Sequence, residues 1–117
     1  MDGNAIVVCN LSKGSLGEST AHLLGALLTT SLAQAALSRA DSPAAERSVF
    51  HFYADEFQSF ATDSFALILS EARKYGLTLT LAHQYLNQLP DPLRSAVFGN
   101  AGSIVACRSG GKVTPNR

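Results

Sequence analysis

The most constraining feature of this sequence is a run of strand-forming residues at 49–54 that ends in two adjacent carboxylates, Asp55 and Glu56. A near-continuous apolar run is typical of a strand buried in a parallel sheet, and ligands gather beyond the carboxyl ends of such strands. An acid pair at that point suits two tasks: Asp55 can hold Mg²⁺ through its waters, and Glu56 can take a proton from an attacking water. The simpler interpretation, a strand that ends in a solvated acidic turn, stays open.

Three further apolar runs, at 5–10, 77–82 and 103–108, predict short strands with residues 49–55 as the second strand of the series. A helix is predicted from about 19 to 40, because apolar residues recur there at steps of three and four. Its apolar stripe consists of Leu24, Leu27, Leu28, Leu32 and Ala36.

A second helix is predicted from Thr62 or Asp63 to Tyr75, closed by Gly76. Its predicted buried face consists of Phe65, Ile68, Leu69, Ala72 and Tyr75. A third, short helix is predicted to open at Asp91 and Pro92 and to reach about Phe98. Strands that alternate with helices predict an α/β fold, in which about four parallel strands are joined by helical crossovers.

Composition narrows the class of protein. A chain of 117 residues with 46% hydrophobic and 15% charged residues is expected to form one globular domain. Nine basic and nine acidic residues give a formal net charge of zero, so bulk charge offers no case for a nucleic-acid or membrane surface. Cys9 and Cys107 lie alone inside apolar runs and are expected to be buried thiols rather than zinc ligands. Neither a membrane span nor a signal peptide is predicted, so a cytoplasmic location is the default.

Several short motifs occur in a characteristic order. They are the segments 10–14 (NLSKG), 55–57 (DEF) and 70–76 (SEARKYG), then Gln84 after the third predicted strand, and 98–100 (FGN). With them, the chain from Ile6 to about Ser109 resembles the nucleotide-hydrolysing domain of HerA/FtsK-type RecA-like motors. Within that group it is most similar to the coupling ATPases of conjugation and type IV secretion.

The resemblance implies a partial RecA-like (P-loop NTPase) domain over residues 1–109 that carries the Walker B half of the site. It implies ATP and Mg²⁺ as cofactors of the intact domain, and DNA and the sister subunits of a hexameric ring as partners. It also implies contact with membrane-associated secretion machinery through segments outside this chain, at the cytoplasmic face of the membrane.

One departure from that family is a missing phosphate loop. The sequence contains no G-x-x-x-x-G-K-[ST] motif, and Gly110-Gly111-Lys112 lacks its first glycine and its hydroxyl residue. The family's phosphate-loop strand, which would lie between the strands predicted at 77–82 and 103–108, is therefore missing. We expect the carboxyl-terminal part of a larger ATPase, or a separately encoded remnant, with residues 110–117 as a loose tail.

The resemblance also assigns roles to individual residues. Asp55 would orient Mg²⁺, Glu56 would polarise the attacking water, and Gln84 would hold that water or sense the γ-phosphate. Arg73 would reach the nucleotide of the next subunit in a ring, and Lys13 would approach phosphate or DNA from its loop. The structural alternatives are an ordinary loop amide for Gln84, a surface ion pair for Arg73 and a solvated side chain for Lys13.

Two functions remain open at this stage. The first is a portion of an ATP-driven DNA-translocating motor, inactive alone. The second is a non-catalytic remnant or interaction module that docks on an intact ATPase. Because a missing strand leaves apolar edges unfilled, we also expect the isolated polypeptide to be poorly soluble.

Overall fold

The computed structural model describes residues 1, 3 and 5–107. This part of the chain forms the helices α1 (Lys13–Leu16), α2 (Glu18–Leu37), α3 (Asp63–Glu71) and α4 (Asp91–Asn100), and the strands β1 (Phe50–Ala54) and β2 (Leu77–Leu81). Short 3₁₀ helices occur at Ser38–Asp41, Ala44–Glu46, Phe57–Ser59, Ala72–Tyr75 and Leu86–Gln88. The predicted tail at 110–117, with the end of the fourth predicted strand, lies outside the described residues.

The two strands form a parallel pair, in register from Phe50 opposite Leu77 to Ala54 opposite Leu81. Helix α3 provides the crossover that a parallel connection requires. The chain therefore mixes helix and strand around a two-stranded parallel sheet, which agrees with a partial α/β fold.

The prediction of about four strands is wrong for the described residues, because the runs at 5–10 and 103–107 form no strand. Ile6 is 94% exposed and Val105 is 88% exposed. Composition makes a segment suitable for a strand, but a strand forms only where a neighbouring strand supplies hydrogen-bond partners. The predicted burial of Cys9 and Cys107 is wrong for the same reason, since both lie on these segments and are exposed.

Helix α2 confirms the predicted helix, but of its predicted apolar stripe Ala36 is buried, Leu32 is half-buried and the other leucines are exposed. Its buried positions are held by small side chains: Ala21, Gly25, Thr29, Ala33 and Ala36. The leucines of the predicted stripe lie about one position away around the helix, so that Leu27 is 56% exposed and Leu28 is 46% exposed. Small residues occupy the buried face of α2 because they let the helix backbone approach its neighbours closely.

Helix α2 with its 3₁₀ extension, Glu18–Asp41, is long and apolar enough to cross a membrane by length and composition. The core helix of a soluble protein passes the same test, and the small-residue face of α2 packs against α3 and the sheet. Among the described residues this one helix is therefore weak evidence for a membrane span.

Helix α3 follows its prediction closely. Phe65, Ile68 and Ala72 are buried, and Leu69 is half-buried. The chain ends the helical segment at Gly76, whose φ of 74° lies in the left-handed region that glycine adopts without strain. The crossover thus delivers the chain directly into β2.

Two arginines that the sequence analysis did not single out fix the amino ends of both strands. Arg39 is 5% exposed, and its Nη1 donates to the carbonyl oxygens of Ser48 and Tyr75, each at 3.0 Å. Arg47 Nη1 donates to the carbonyl oxygen of Lys74 at 2.6 Å. These contacts brace the edge of the sheet opposite the acid pair.

Candidate functional site

The acid pair lies beyond the carboxyl edge of the sheet, where β1 and β2 end side by side. Ala82 N donates to the carbonyl oxygen of Ala54 at 2.9 Å, and Phe57 N donates to that of Ala82 at 3.3 Å. These two bonds carry the pairing one step past both strands. The turn that holds Glu56 and the loop that holds Gln84 therefore leave the sheet at the same edge.

Glu56 has an unusual backbone conformation. Its φ of 50° and ψ of 41° are left-handed, and it is the one non-glycine residue with a positive φ in the described part of the chain. This conformation is unfavourable by about 1 kcal/mol or more for a residue that has a Cβ atom. The Glu56 N–H donates to Asp55 Oδ1 at 3.0 Å, and the Glu56 carbonyl accepts from Ser59 N at 2.9 Å. The turn is thus held by hydrogen bonds despite its strain.

The Glu56 carboxylate is itself held by an amide. Gln58 Nε2 donates to Glu56 Oε2, and the same nitrogen lies 3.4 Å from Gln88 Oε1. The side-chain amide oxygen of Gln58, Oε1, is buried without a hydrogen-bond partner among the described residues. A chain of two amides therefore connects the acidic turn to the loop that follows β2.

An aromatic cluster packs against the residues that follow the acid pair. Phe57 is fully buried; its ring stacks on Phe65 with centroids 5.4 Å apart and meets His83 edge-on at 5.5 Å. Phe60 is also buried in this cluster. Such packing fixes the backbone on which Asp55 and Glu56 are carried.

Helix α2 contacts the far end of the same turn. A Cβ atom built on Gly25 would lie 2.7 Å from Phe60 Cβ, so only glycine fits at this crossing. The His22 Nδ1–H donates to the carbonyl oxygen of Ser59. The residues that follow the acid pair are thereby fixed between α2 and α3.

A wide open groove of about 1530 Å³ lies along the second edge of β1. Its walls are the amino-terminal segment, one side of α2 between Ala21 and Ala35, and β1 with the acidic turn. Tyr85 and Gln88 contribute from the loop after β2. Pockets for small ligands measure about 300–1,000 Å³, so the groove is larger than one small molecule requires. Asp55, Glu56 and Gln58 line this groove, and so does Lys13 at the start of α1.

The remaining predicted site residues are positioned differently. Lys13 begins α1, is exposed and pairs with Glu18 at 3.2 Å. Gln84 is exposed on the loop beyond β2. Arg73 is exposed in the 3₁₀ helix just before β2, and so lies towards the amino edge of the sheet, away from the acid pair. The fold therefore groups Asp55, Glu56 and Lys13 around one groove but keeps Arg73 apart within the chain.

The oxygen atoms of Asp55 and Glu56 suit Mg²⁺, which prefers carboxylate, water and phosphate oxygens. No group of three or more His, Cys, Asp or Glu side chains able to hold a metal ion occurs within the described residues. Most of an octahedral shell would then come from water and from a bound phosphate, as is usual for Mg²⁺ at nucleotide sites.

Gln58 and Gln88 were missed by the sequence analysis. Gln58 follows Glu56 at a distance of two residues, and only the left-handed turn directs its amide back to the carboxylate. Gln88 lies thirty residues further along the chain, and the pairing of the strands is what brings it near. An amide close behind an acid pair is a weak sequence signal for such an arrangement.

No family model matches this chain, and neither a curated protein nor a solved structure matches it. Its function must therefore be inferred from its own residues.

Proposed function

We propose that this chain is the water-activating, carboxyl-terminal half of an ATP-hydrolysing motor domain of the RecA-like type, active only together with a phosphate loop on another segment. The observation that carries the proposal is Glu56, held in a strained left-handed turn at the carboxyl edge of two parallel strands. Strained residues that are fixed by their surroundings cluster at active sites.

The two carboxylates of the acid pair are suited to different roles. Asp55 is exposed, and its second carboxylate oxygen, Oδ2, remains available to a hydrated cation. Mg²⁺ bound here would neutralise charge on the phosphate oxygens. The Glu56 carboxylate, oriented by Gln58, would accept a proton from the attacking water.

The other predicted residues fit around this pair as part of the same proposal. Gln84, on the neighbouring loop, would hold the water or sense the γ-phosphate. Lys13 faces the groove and would approach a phosphate there. Arg73, exposed towards the opposite edge, is suited to the nucleotide of a neighbouring subunit in a ring.

Two features support the need for another segment. The sequence offers no phosphate loop, whose backbone N–H groups would wrap the β- and γ-phosphates. Apolar side chains are also exposed at Ile6 to Val8 and at Ile104 and Val105. A segment that carries a phosphate loop and adds a strand would bind the phosphates and also cover these apolar surfaces.

The wider process follows from the resemblance to coupling ATPases. We propose that the complete motor moves DNA in conjugation or type IV secretion, as a ring at the cytoplasmic face of the membrane. With no net charge on this chain, the DNA contacts are expected mainly on other segments.

The test joins a phosphate-loop-bearing segment to the amino terminus of this chain and measures phosphate release from Mg-ATP. The joined protein should hydrolyse ATP, and Glu56→Gln should lower kcat by about 10²–10⁴-fold, the usual contribution of a general base. Glu46→Gln is the matched control, because Glu46 is an exposed acid outside the site. Equal hydrolysis by the joined protein and its Glu56→Gln variant would refute the role of Glu56.

A second candidate is a non-catalytic module that docks on an intact ATPase. The exposure of Val8 (88%) and Val105 (88%) favours it, because such apolar surface is suited to a protein partner. A joined protein that binds Mg-ATP but does not hydrolyse it, with Glu56 intact, would support this alternative. Tight binding of Mg-ATP by the 117-residue chain alone, measured by calorimetry, would exclude it.

A further inference from the structure

We infer that Gln58 is a positioning residue for Glu56, and that Gln88 fixes Gln58 in turn. This inference rests on the proposed function, because it assigns the residue that orients the water-activating carboxylate. It adds a second glutamine from the loop after β2, Gln88, to the predicted Gln84.

The hydrogen-bond inventory of an amide decides how Gln58 is oriented. Its NH₂ group carries two hydrogens, and its two neighbours, Glu56 Oε2 and Gln88 Oε1, are both acceptors. An ionised carboxylate has no hydrogen to donate, so the nitrogen of Gln58 must face Glu56. A flipped amide would set its carbonyl oxygen against a carboxylate, so the charge on Glu56 selects one orientation.

This orientation leaves one acceptor of Gln58 without a hydrogen bond. The Gln58 side-chain oxygen Oε1 is buried without a partner among the described residues, and a buried unsatisfied acceptor is unfavourable. Native structures keep few such groups, and a catalytic role is one reason for which they persist. The arrangement therefore favours the contact with Glu56 over the satisfaction of Gln58 itself.

The contact has a direct consequence for the carboxylate. Gln58 occupies Oε2 of Glu56, which holds the side chain in one rotamer and leaves Oε1 to accept a proton from water. A general base must lie within hydrogen-bond reach of that proton, so a free rotamer lowers the fraction of productive geometries. Gln88 lies on the loop beyond β2, so its contact with Gln58 connects the two loops that carry the site residues.

The first test uses the 117-residue chain itself and follows the side-chain amide protons of Gln58 by NMR. Glu56→Ala should shift these signals upfield and accelerate their exchange with solvent by about tenfold, because a charge-assisted bond is lost. Gln88→Ala should produce a smaller change of the same sign. Asn87→Ala is the matched control and should produce none, since Asn87 is an exposed amide of the same 3₁₀ helix.

The second test measures hydrolysis by the chain joined to a phosphate-loop segment. Gln58→Met, which keeps the size of the side chain but not its donor, should lower kcat by about tenfold and leave KM unchanged. Gln88→Ala, at an exposed position that should not disturb folding, should lower kcat by a smaller factor. Asn87→Ala should match the unsubstituted protein.

The outcomes separate the two proposals. If the joined protein hydrolyses ATP and Gln58→Met retains full kcat, the positioning role is overturned while the proposed function stands. Gln58 signals that do not respond to Glu56→Ala overturn the positioning role as well. A joined protein with no hydrolysis overturns the proposed function, and the positioning role with it.

Discussion

The closest contact between α2 and the acidic turn allows a sharp prediction at Gly25. Its backbone approaches Phe60 so closely that an added Cβ atom would lie 2.7 Å from Phe60 Cβ and 2.8 Å from Phe60 Cγ. Favourable carbon–carbon contacts are about 3.5–4.0 Å, so one side would have to move by nearly 1 Å. Phe60 belongs to the cluster under the acid pair and has little room to move.

Two opposing terms set the size of the effect of Gly25→Ala. Alanine in place of a helical glycine stabilises by about 1 kcal/mol. Overpacking a filled contact costs about 1–3 kcal/mol. The free energy of unfolding should therefore fall, by up to about 2 kcal/mol, although the substitution is one that normally stabilises a helix.

The measurement is urea unfolding followed by circular dichroism, with Gly99→Ala as the matched control. Gly99 lies in α4, and a Cβ atom there would meet nothing within 4 Å. This variant should gain about 0.5 kcal/mol, less than a mid-helix glycine because the helix ends at the next residue. If Gly25→Ala stabilises as much as Gly99→Ala, α2 does not lie against Phe60 as described.

Three further predictions concern other parts of the chain. Arg39→Met should lower the free energy of unfolding by about 2–4 kcal/mol, because two carbonyl oxygens beside the strands lose a charged donor; urea unfolding measures this. Glu71 raises the pKa of Lys74 through a side-chain hydrogen bond at 2.8 Å and through its charge. The pair therefore stabilises at neutral pH and loses its effect as pH rises through the raised pKa, and Glu71→Gln should lower that pKa in an NMR titration. Val7→Lys and Val105→Lys should reduce light scattering without loss of stability, since these side chains are 74% and 88% exposed.

The sequence predicted much of the central crossover. Its apolar run and acid pair located β1, and its three- and four-residue periodicity located α3 and the glycine that ends the helical segment. These features are local: a strand-forming run, an amphipathic period and a residue that tolerates a positive φ are all determined by neighbours in the chain. The sequence alone therefore places Asp55 and Glu56 at the carboxyl end of a strand.

Only the tertiary structure decided which surfaces meet. The periodicity of α2 indicated a helix, but the close approach of Phe60 selected its small-residue face over its leucines. Composition marked residues 5–10 and 103–108 as strands, yet no neighbouring strand pairs with their described residues, 5–10 and 103–107. The amide contacts from Gln58 to Glu56 and Gln88 likewise depend on a strained turn and on the pairing of β1 with β2, which brings together residues thirty positions apart. Local patterns follow from covalent geometry and side-chain chemistry, whereas burial and hydrogen bonding depend on which distant segment fills the adjoining space.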